Sequence, residues 1–574
     1  MLLPTTLAAE PTTLEPPWYA IGQEDWSILV PFLVYMLGVL VIAIMAHRYQ
    51  RREDFGAEYY VAGRSFGAWV LAMSWVATLA SGGTFLGYPS LVHSYGWSMA
   101  FWVSGSVVTA VVGLGIVGKR INRLARQTGA LTLVDLMRDR FDSHVIGLAY
   151  TAVVLVTTSV YLVAQFVAGA TILESVLDTS YAMGLILFAV SVVAYTTYGG
   201  FRAVAWTDTM QGIVMIVGVV VLLPLTLWAV GGLEQATVGG DRPLAERVDR
   251  VAESRELPAE RHAYLYGPGP QRIKGTAPER PDGSPRPEPW LPIGLGLSLF
   301  MIRSLGAVMM PTTVPRMLAF RDTAALRRAL LLLAPYFLLV YGCSLITMNC
   351  AYSLGLELPV GRSDKAVPEL IQQLKLDGII PAVLAGLLIA APFAAVMSTV
   401  DSALLVVSAS VVRDLVEKTW IGPLPVRSTR WLGYAVTAVA GLGVCAVALS
   451  IKPAFLQPLV IHYVGGSTSA LFWPGIATLF WRRATVAGVT GGLLGGGLVY
   501  IACVAWPPLS GAWEVHPFAF GFVASGACVL VVSRLTRRQS PEELDGYFGR
   551  EDVAASEDRQ ARPEGEAPAG TRSA

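Results

Sequence analysis

Thirteen long apolar runs constrain this chain more than any other feature. They cover residues 27–47, 66–92, 97–117, 145–173, 182–199, 206–231, 290–315, 329–355, 380–412, 431–451, 455–481, 485–506 and 517–534. A helix rises about 1.5 Å per residue and the hydrocarbon core of a bilayer is about 30 Å thick, so runs of this length suit membrane spans. Inside lipid every backbone N–H and C=O must be paired within the segment, which makes helices the expected form. The chain therefore reads as an all-α integral membrane protein with about 13 transmembrane helices. Charge agrees: only 14% of the 574 residues are charged, against roughly 25% in soluble domains. The formal net charge is +1, so no nucleic-acid partner and no cationic partner is expected. Cys343, Cys350, Cys445, Cys503 and Cys528 lie in or beside apolar runs without zinc or disulfide spacing, and read as packing residues.

Orientation follows from basic residues near the run ends. Met1 to Trp26 holds acids but no lysine or arginine, so it lacks the basic region of a signal peptide and the first helix reads as an uncleaved anchor. With the N-terminus outside, the internal segments collect Arg48, Arg51, Arg52 and Arg64, then Lys119, Arg120, Arg123 and Arg126. Arg202, Arg316, Arg321, Arg413, Lys418, Arg482, Arg483, Arg534, Arg537 and Arg538 follow on the same side. The expectation is a multi-pass protein of the cell (inner) membrane with its C-terminus in the cytoplasm. The long segment Gly232 to Pro289 reads as a flexible external loop, and the polar tail 539–574 as disordered.

Three stretches depart from lipid-facing composition. The second run centres on Thr78, Ser81, Gly82, Gly83 and Thr84. Paired glycines there allow unwinding that exposes carbonyl oxygens to an ion, or close packing of helices; both readings stand. A Gly-Gly turn leads into the sixth run, with Asp208 in its first turns as an ion ligand or a helix-dipole partner. In the ninth run Ala395, Ser398, Thr399 and Ser402 share one sector about 100° wide, with Asp401 on its flank. Hydroxyls in membrane helices often bond back to the i−4 carbonyl. A carboxylate within a span costs at least ~2.5 kcal/mol and marks ion paths. Two carboxylates at similar depth with hydroxyls beside one suit a hard cation held by oxygen.

These residues resemble the sodium/solute symporter family. The likeness is carried by YYVAGRS (Tyr59 to Ser65), LAMSWVATLASGGTFLG, YGGFRAVAWTDTMQG and AAVMSTVDSALLVVSASVVRDL, and it covers about 55 to 480. Around YGGFRA, DTMQG and APFAAVMST the chain is most similar to bacterial sodium/pantothenate symporters. The resemblance implies a five-plus-five inverted-repeat (LeuT-type) core with broken second and seventh helices. It divides the chain into an external segment 1–26, an extra helix and loop 27–65 and repeat one at 66–231. The loop 232–289, repeat two at 290–481, two C-terminal helices within 482–538 and the tail 539–574 complete it. By similarity a sodium ion, the coupling ion, is held by the Ala77, Ala80 and Ala395 carbonyls and the Ser398 and Thr399 hydroxyls. A second sodium site maps to Asp208, Ser398, Asp401 and Ser402, although many members have serine at the position of Asp401.

Solute-binding candidates are Thr78, Ser81, Thr84, Tyr161, Gln165, Arg303 and Ser304. Arg303 lies about 13 residues into the seventh run, where an arginine needs an anion: Asp401, Asp208 or a substrate carboxylate. Tyr161 and Gln165, one turn apart, face a cavity or pack between helices. The expected activity is sodium-coupled import of a small organic solute, a carboxylate such as pantothenate, with no chemical conversion. Proline, acetate, another monocarboxylate or a sugar are alternatives, as is proton coupling through Asp208 and Asp401. A transporter-like nutrient sensor would need an output domain that the tail is too short to form. A membrane enzyme would need a nucleophile–base pair or metal cluster that the sequence does not display, and His462 reads as a packing or gate residue. The partners are the solute and the lipid bilayer, with no obligate protein partner evident.

Overall fold

The computed structural model describes residues 26–48, 55–177, 179–233, 292–354, 356, 363–451, 456–506 and 513–548. Among them the chain is helical and forms no strand. Each expected run is helical over most of its length. Among the described residues eight helices are long and apolar enough to cross a bilayer, and one bent pair adds a ninth. Val30–Ala46, Tyr181–Thr197 and Ile293–Leu305 are shorter apolar helices at three more of the expected positions.

The first run is α1 (Trp26–Arg48), followed by the short α2 (Phe55–Val61). The second run bends: α3 (Ala68–Leu79) and the segment Gly83–His93, which runs into α4 (Tyr88–Tyr95), meet at 61°. Helices α5 (Ala100–Thr109) and α6 (Lys119–Thr128) join through a π-helical stretch into one span. Short α7 (Leu133–Phe141) and long α8 (His144–Leu177) follow. Helix α9 (Tyr181–Val230) holds two expected runs, divided at Gly200. The φ of 62° and ψ of −178° there belong to a region that is essentially glycine-only, so the Gly-Gly turn is a backbone requirement.

The seventh run is broken as well. Helix α10 (Ile293–Leu305) stops, the chain turns, and α11 (Val314–Ala319) resumes. Then come α12 (Thr323–Ser353), α13 (Ala366–Leu376) and α14 (Ala382–Ala409), which continues in π-helical form to Trp420. Helices α15 (Val426–Ser450), α16 (Leu456–Phe480), α17 (Val486–Ala505), α18 (Pro517–Leu535) and α19 (Pro541–Phe548) complete the chain. The α14 span is the most enclosed, with 83% of its apolar window buried inside the protein against 28% for the span beginning at Gly200. It packs on α1, α8, α9 and α15, so it is the central helix on which a site can be built.

The basic residues gather at one end of the bundle. Arg64 donates to the Ala130 carbonyl, Arg120 to Leu479, Arg126 to Phe320 and Arg483 to Arg534, closing gaps between distant segments. Phe66 at the start of the second run and Phe320, just after α11, form a parallel bridge there. Its two backbone bonds run from Phe66 N–H to the Ala319 carbonyl and from Arg321 N–H to the Phe66 carbonyl. The expectation of a disordered tail needs correction in part. Helix α19 seats Phe548 against Arg120, Arg140 and Arg482, while Arg482 pairs with Asp545 at 2.7 Å. Residues 549–574, most of the 1–26 segment and 234–289 of the long loop lie outside the described residues.

Candidate ion and solute site

The site begins at the break in the second run. Ala80 leaves the helix with φ −84° and ψ 79°. A Cβ on Gly82 would lie 2.7 Å from the Ala168 Cβ, and one on Gly83 would lie 2.8 Å from Val460. Helices α8 and α16 therefore approach the backbone where only glycine fits. The Gly82 N–H, orphaned by the break, donates to the Gln165 side-chain oxygen at 2.9 Å. Of the two readings of the paired glycines, unwinding and close packing, both hold at once.

Helix α14 passes beside this break. Ser398 Oγ lies 2.8 Å from the Ala77 carbonyl oxygen and 3.0 Å from that of Ala395, and Thr399 Oγ1 lies 2.9 Å from the Ala395 carbonyl. All of these residues are buried. Four of the five expected ligands of the first sodium site are thus joined by hydrogen bonds, with Ala80 at the break.

The expected second set is arranged differently. Asp208 Oδ2 accepts from Ser74 at 2.6 Å and from Arg316 Nη2 at 2.8 Å, with both charged side chains fully buried. The same Nη2 donates to Ser402 Oγ at 2.6 Å, and Arg316 Nε donates to Ser74 at 3.0 Å. The guanidinium also lies 4.9 Å over the Phe201 ring. Asp401 turns away from this pair: its carboxylate accepts from Thr196 at 2.6 Å and from Tyr195. A guanidinium therefore stands between Asp208 and Ser402. Sequence reasoning counted Arg316 only among the basic loop residues and gave Ser74 no role.

A narrow cavity lies beside the break. Of the solute candidates, Ser81, Thr84, Tyr161 and Arg303 line it, together with Trp102 and Tyr341. Thr84 Oγ1 is 2.8 Å from the Tyr341 hydroxyl. Tyr161 is held by stacking on Tyr463, with ring centroids 4.0 Å apart, and its hydroxyl faces Ser81 and Thr399. Arg303 Nε donates to Ser106 at 2.8 Å, its guanidinium lies 4.9 Å over the Tyr341 ring, and its buried Nη2 has no hydrogen-bond partner among the described residues. Three candidates fall elsewhere. Thr78 bonds back to the Ser74 carbonyl, Gln165 holds the break, and Ser304 packs toward Gly105 of α5. Trp102 and Tyr341 were missed because nothing local in their runs distinguishes them from core aromatics. His462 pairs with Tyr500, Nδ1 to hydroxyl 2.8 Å.

The sodium:solute symporter family model matches residues 59–496. The sodium/pantothenate symporter of Haemophilus influenzae is 30% identical over 475 residues, covering 82% of this chain and 88% of that protein. That of Escherichia coli is 28% identical, covering 83% and 90%. A sodium/proline symporter of Staphylococcus aureus is 26% identical, covering 90% and 95%. The substrate-bound, outward-open structure of a Na+-coupled sialic acid symporter superposes with a TM-score of 0.65 at 16% identity, covering 90% of this chain and 99% of that one. The fold is the inverted-repeat LeuT-type fold of a multi-pass membrane transporter. The chain belongs to the sodium:solute symporter family.

Proposed function

We propose that this protein imports a small organic monocarboxylate, with pantothenate the leading solute, coupled to sodium by alternating access. One observation carries the reading: Arg303 presents a buried Nη2 without a partner to a cavity beside the broken helix. A planar guanidinium clamped by Ser106 and Tyr341 suits a carboxylate. The hydroxyls of Ser81, Thr84 and Tyr161 suit the polar groups of such a solute. No lining residue of this cavity among the described ones is acidic, so an amino-acid ammonium group has no counter-charge, which favours a simple acid over proline. The cavity is narrow in this conformation, and a solute as large as pantothenate needs its aromatic walls to move.

The coupling sodium binds Ala77, Ala80, Ala395, Ser398 and Thr399, replacing the hydrogen bonds that now join them. A second sodium among Asp208, Ser398, Asp401 and Ser402 requires Arg316 to swing out, because its guanidinium already neutralises Asp208. With Arg316 in place, one sodium and one monoanion cross without net charge. A tenfold sodium gradient then supplies ~1.4 kcal/mol, and the ~2.3 kcal/mol per charge from 100 mV contributes nothing. The basic end faces the cytoplasm under the positive-inside rule.

The test is uptake of labelled carboxylates into proteoliposomes with and without an inward sodium gradient. Sodium-driven uptake that is insensitive to clamped voltage supports the reading. Uptake driven by a pH gradient without sodium refutes it.

A further inference from the structure

Below the central site, α14 carries a second set of oxygens. Ser402 and Val406 of α14, with Ser410 and Asp414 of its π-helical continuation, present one lining face toward the basic end. From Ser402 to Asp414 this face runs about 18 Å. A narrow cavity follows it, with Ser402 at its inner end and Ser410 and Asp414 further out. Thr132, Tyr60 and Pro315 close its other sides.

Asp414 is 1% exposed. Its Oδ1 accepts from Thr132 Oγ1 at 2.7 Å, but Oδ2 has no hydrogen-bond partner among the described residues. The Tyr60 hydroxyl, on a different element and also buried, has none. Two orphaned oxygens line one cavity, and a buried carboxylate oxygen without a partner is strongly disfavoured. The nearby arginines are turned elsewhere. Arg413 pairs with Asp135 at 3.3 Å and Glu417 at 3.1 Å. Arg138 donates to the Asp414 main-chain carbonyl at 3.2 Å and to Thr419 at 3.0 Å, not to the Asp414 carboxylate. Arg413 is thus shared by Asp135 and Glu417, and Arg138 meets Asp414 only at its main-chain carbonyl, so no described side-chain cation hydrogen-bonds the Asp414 carboxylate. The carboxylate and hydroxyl oxygens along this cavity suit a small hard cation.

We propose that Asp414 Oδ2, with the Tyr60 and Ser410 hydroxyls, forms a second, weaker sodium site: a release station between the central site and the basic end. The inference rests on the sodium-coupled reading. Weak binding is part of its role, since an ion held tightly there would not leave. Val406, Leu405 and Ala409 supply an apolar stretch between the two sets of oxygens, so the ion steps rather than rests along the way.

The test is equilibrium binding of radioactive sodium to the purified full-length protein. Two classes of site are expected in the wild type. Asp414→Asn and Tyr60→Phe should each raise the half-filling concentration of the weaker class roughly tenfold and leave the tighter class unchanged. Asp414→Glu should retain the weaker class. Ser398→Ala should weaken the tighter class alone. If Asp414→Asn does not fold, Tyr60→Phe decides, because it removes an unpaired hydroxyl and nothing else. A wild type with a single class that Ser398→Ala abolishes overturns the release station and leaves sodium coupling intact. Two classes unaffected by Tyr60→Phe and Asp414→Asn overturn the station equally. No saturable sodium binding in the wild type overturns the coupling itself.

Discussion

Arg316 and Asp208 form an ion pair with no exposure of either side chain. Such a pair loses the hydration of both charges, so it adds little net stability. Removing one partner, however, strands the other and costs about 3–5 kcal/mol. Arg316→Ala is expected to lower the thermal stability of the purified protein sharply, and Asp208→Asn in the same chain to restore much of it. Thermal unfolding of the two single variants and the double variant measures this, and additive losses would show that the charges do not compensate. In the sequence, Arg316 stands one residue past the seventh apolar run and reads as a loop charge. Run length cannot reveal that the helix stops at Leu305 and restarts at Val314, which places Arg316 in the first turn of a buried half-helix. Arg303 is the converse case. Its alternatives were open in the sequence, and the pairing of Asp208 with Arg316 removes one of them. Arg303→Lys keeps the charge but loses the planar fork, so KM for the carboxylate should rise roughly tenfold with folding intact. Wild-type KM in Arg303→Ala would end the carboxylate role.

At the scale of the element, the break in the second run depends on a partner from α8. Gln165 accepts from the Gly82 N–H, and losing that acceptor leaves a buried donor unpaired at about 1–3 kcal/mol. Ala77 and Ala80 lie just before the break, so a loosened break should blur the carbonyls offered to sodium. Gln165→Ala is expected to raise the sodium concentration for half-maximal uptake several-fold, roughly in line with that energy. Gln165→Leu keeps the bulk but not the acceptor and should behave like Gln165→Ala. Wild-type sodium dependence in Gln165→Leu would show that the hydrogen bond is not what matters. The apolar runs and the paired glycines made the spans and this break legible. The role of Gln165 was not, because the donor it serves lies 83 residues away. The same holds for α19, whose sequence among prolines and acids reads as disorder. Its order comes from Arg120, Arg140 and Arg482, three cations from remote segments that converge on Phe548.

At the scale of the whole molecule, the polar residues sort by depth. The candidate ion-binding oxygens and the Asp208–Arg316 pair line the central helix α14, and basic residues close gaps between segments at one end of the bundle. Composition and loop charge anticipated that arrangement, since both follow from the bilayer. How the two broken spans relate to each other was implied by family resemblance alone. The Phe66–Phe320 bridge adds a physical link between them: its two backbone bonds stitch the start of one broken span to the end of the other. Phe66 also stacks on Phe201 at 5.5 Å, and Phe201 lies beneath Arg316. Mechanically, this makes the two ends a single lever, so that neither can be displaced without dragging its fellow. A covalent staple at the rung should therefore be silent. Oxidising the Phe66→Cys, Phe320→Cys variant is expected to leave turnover as it was before oxidation, read as uptake on either side of reduction. Arrest on oxidation would mean that the rung opens in every cycle and that these two chain ends travel apart.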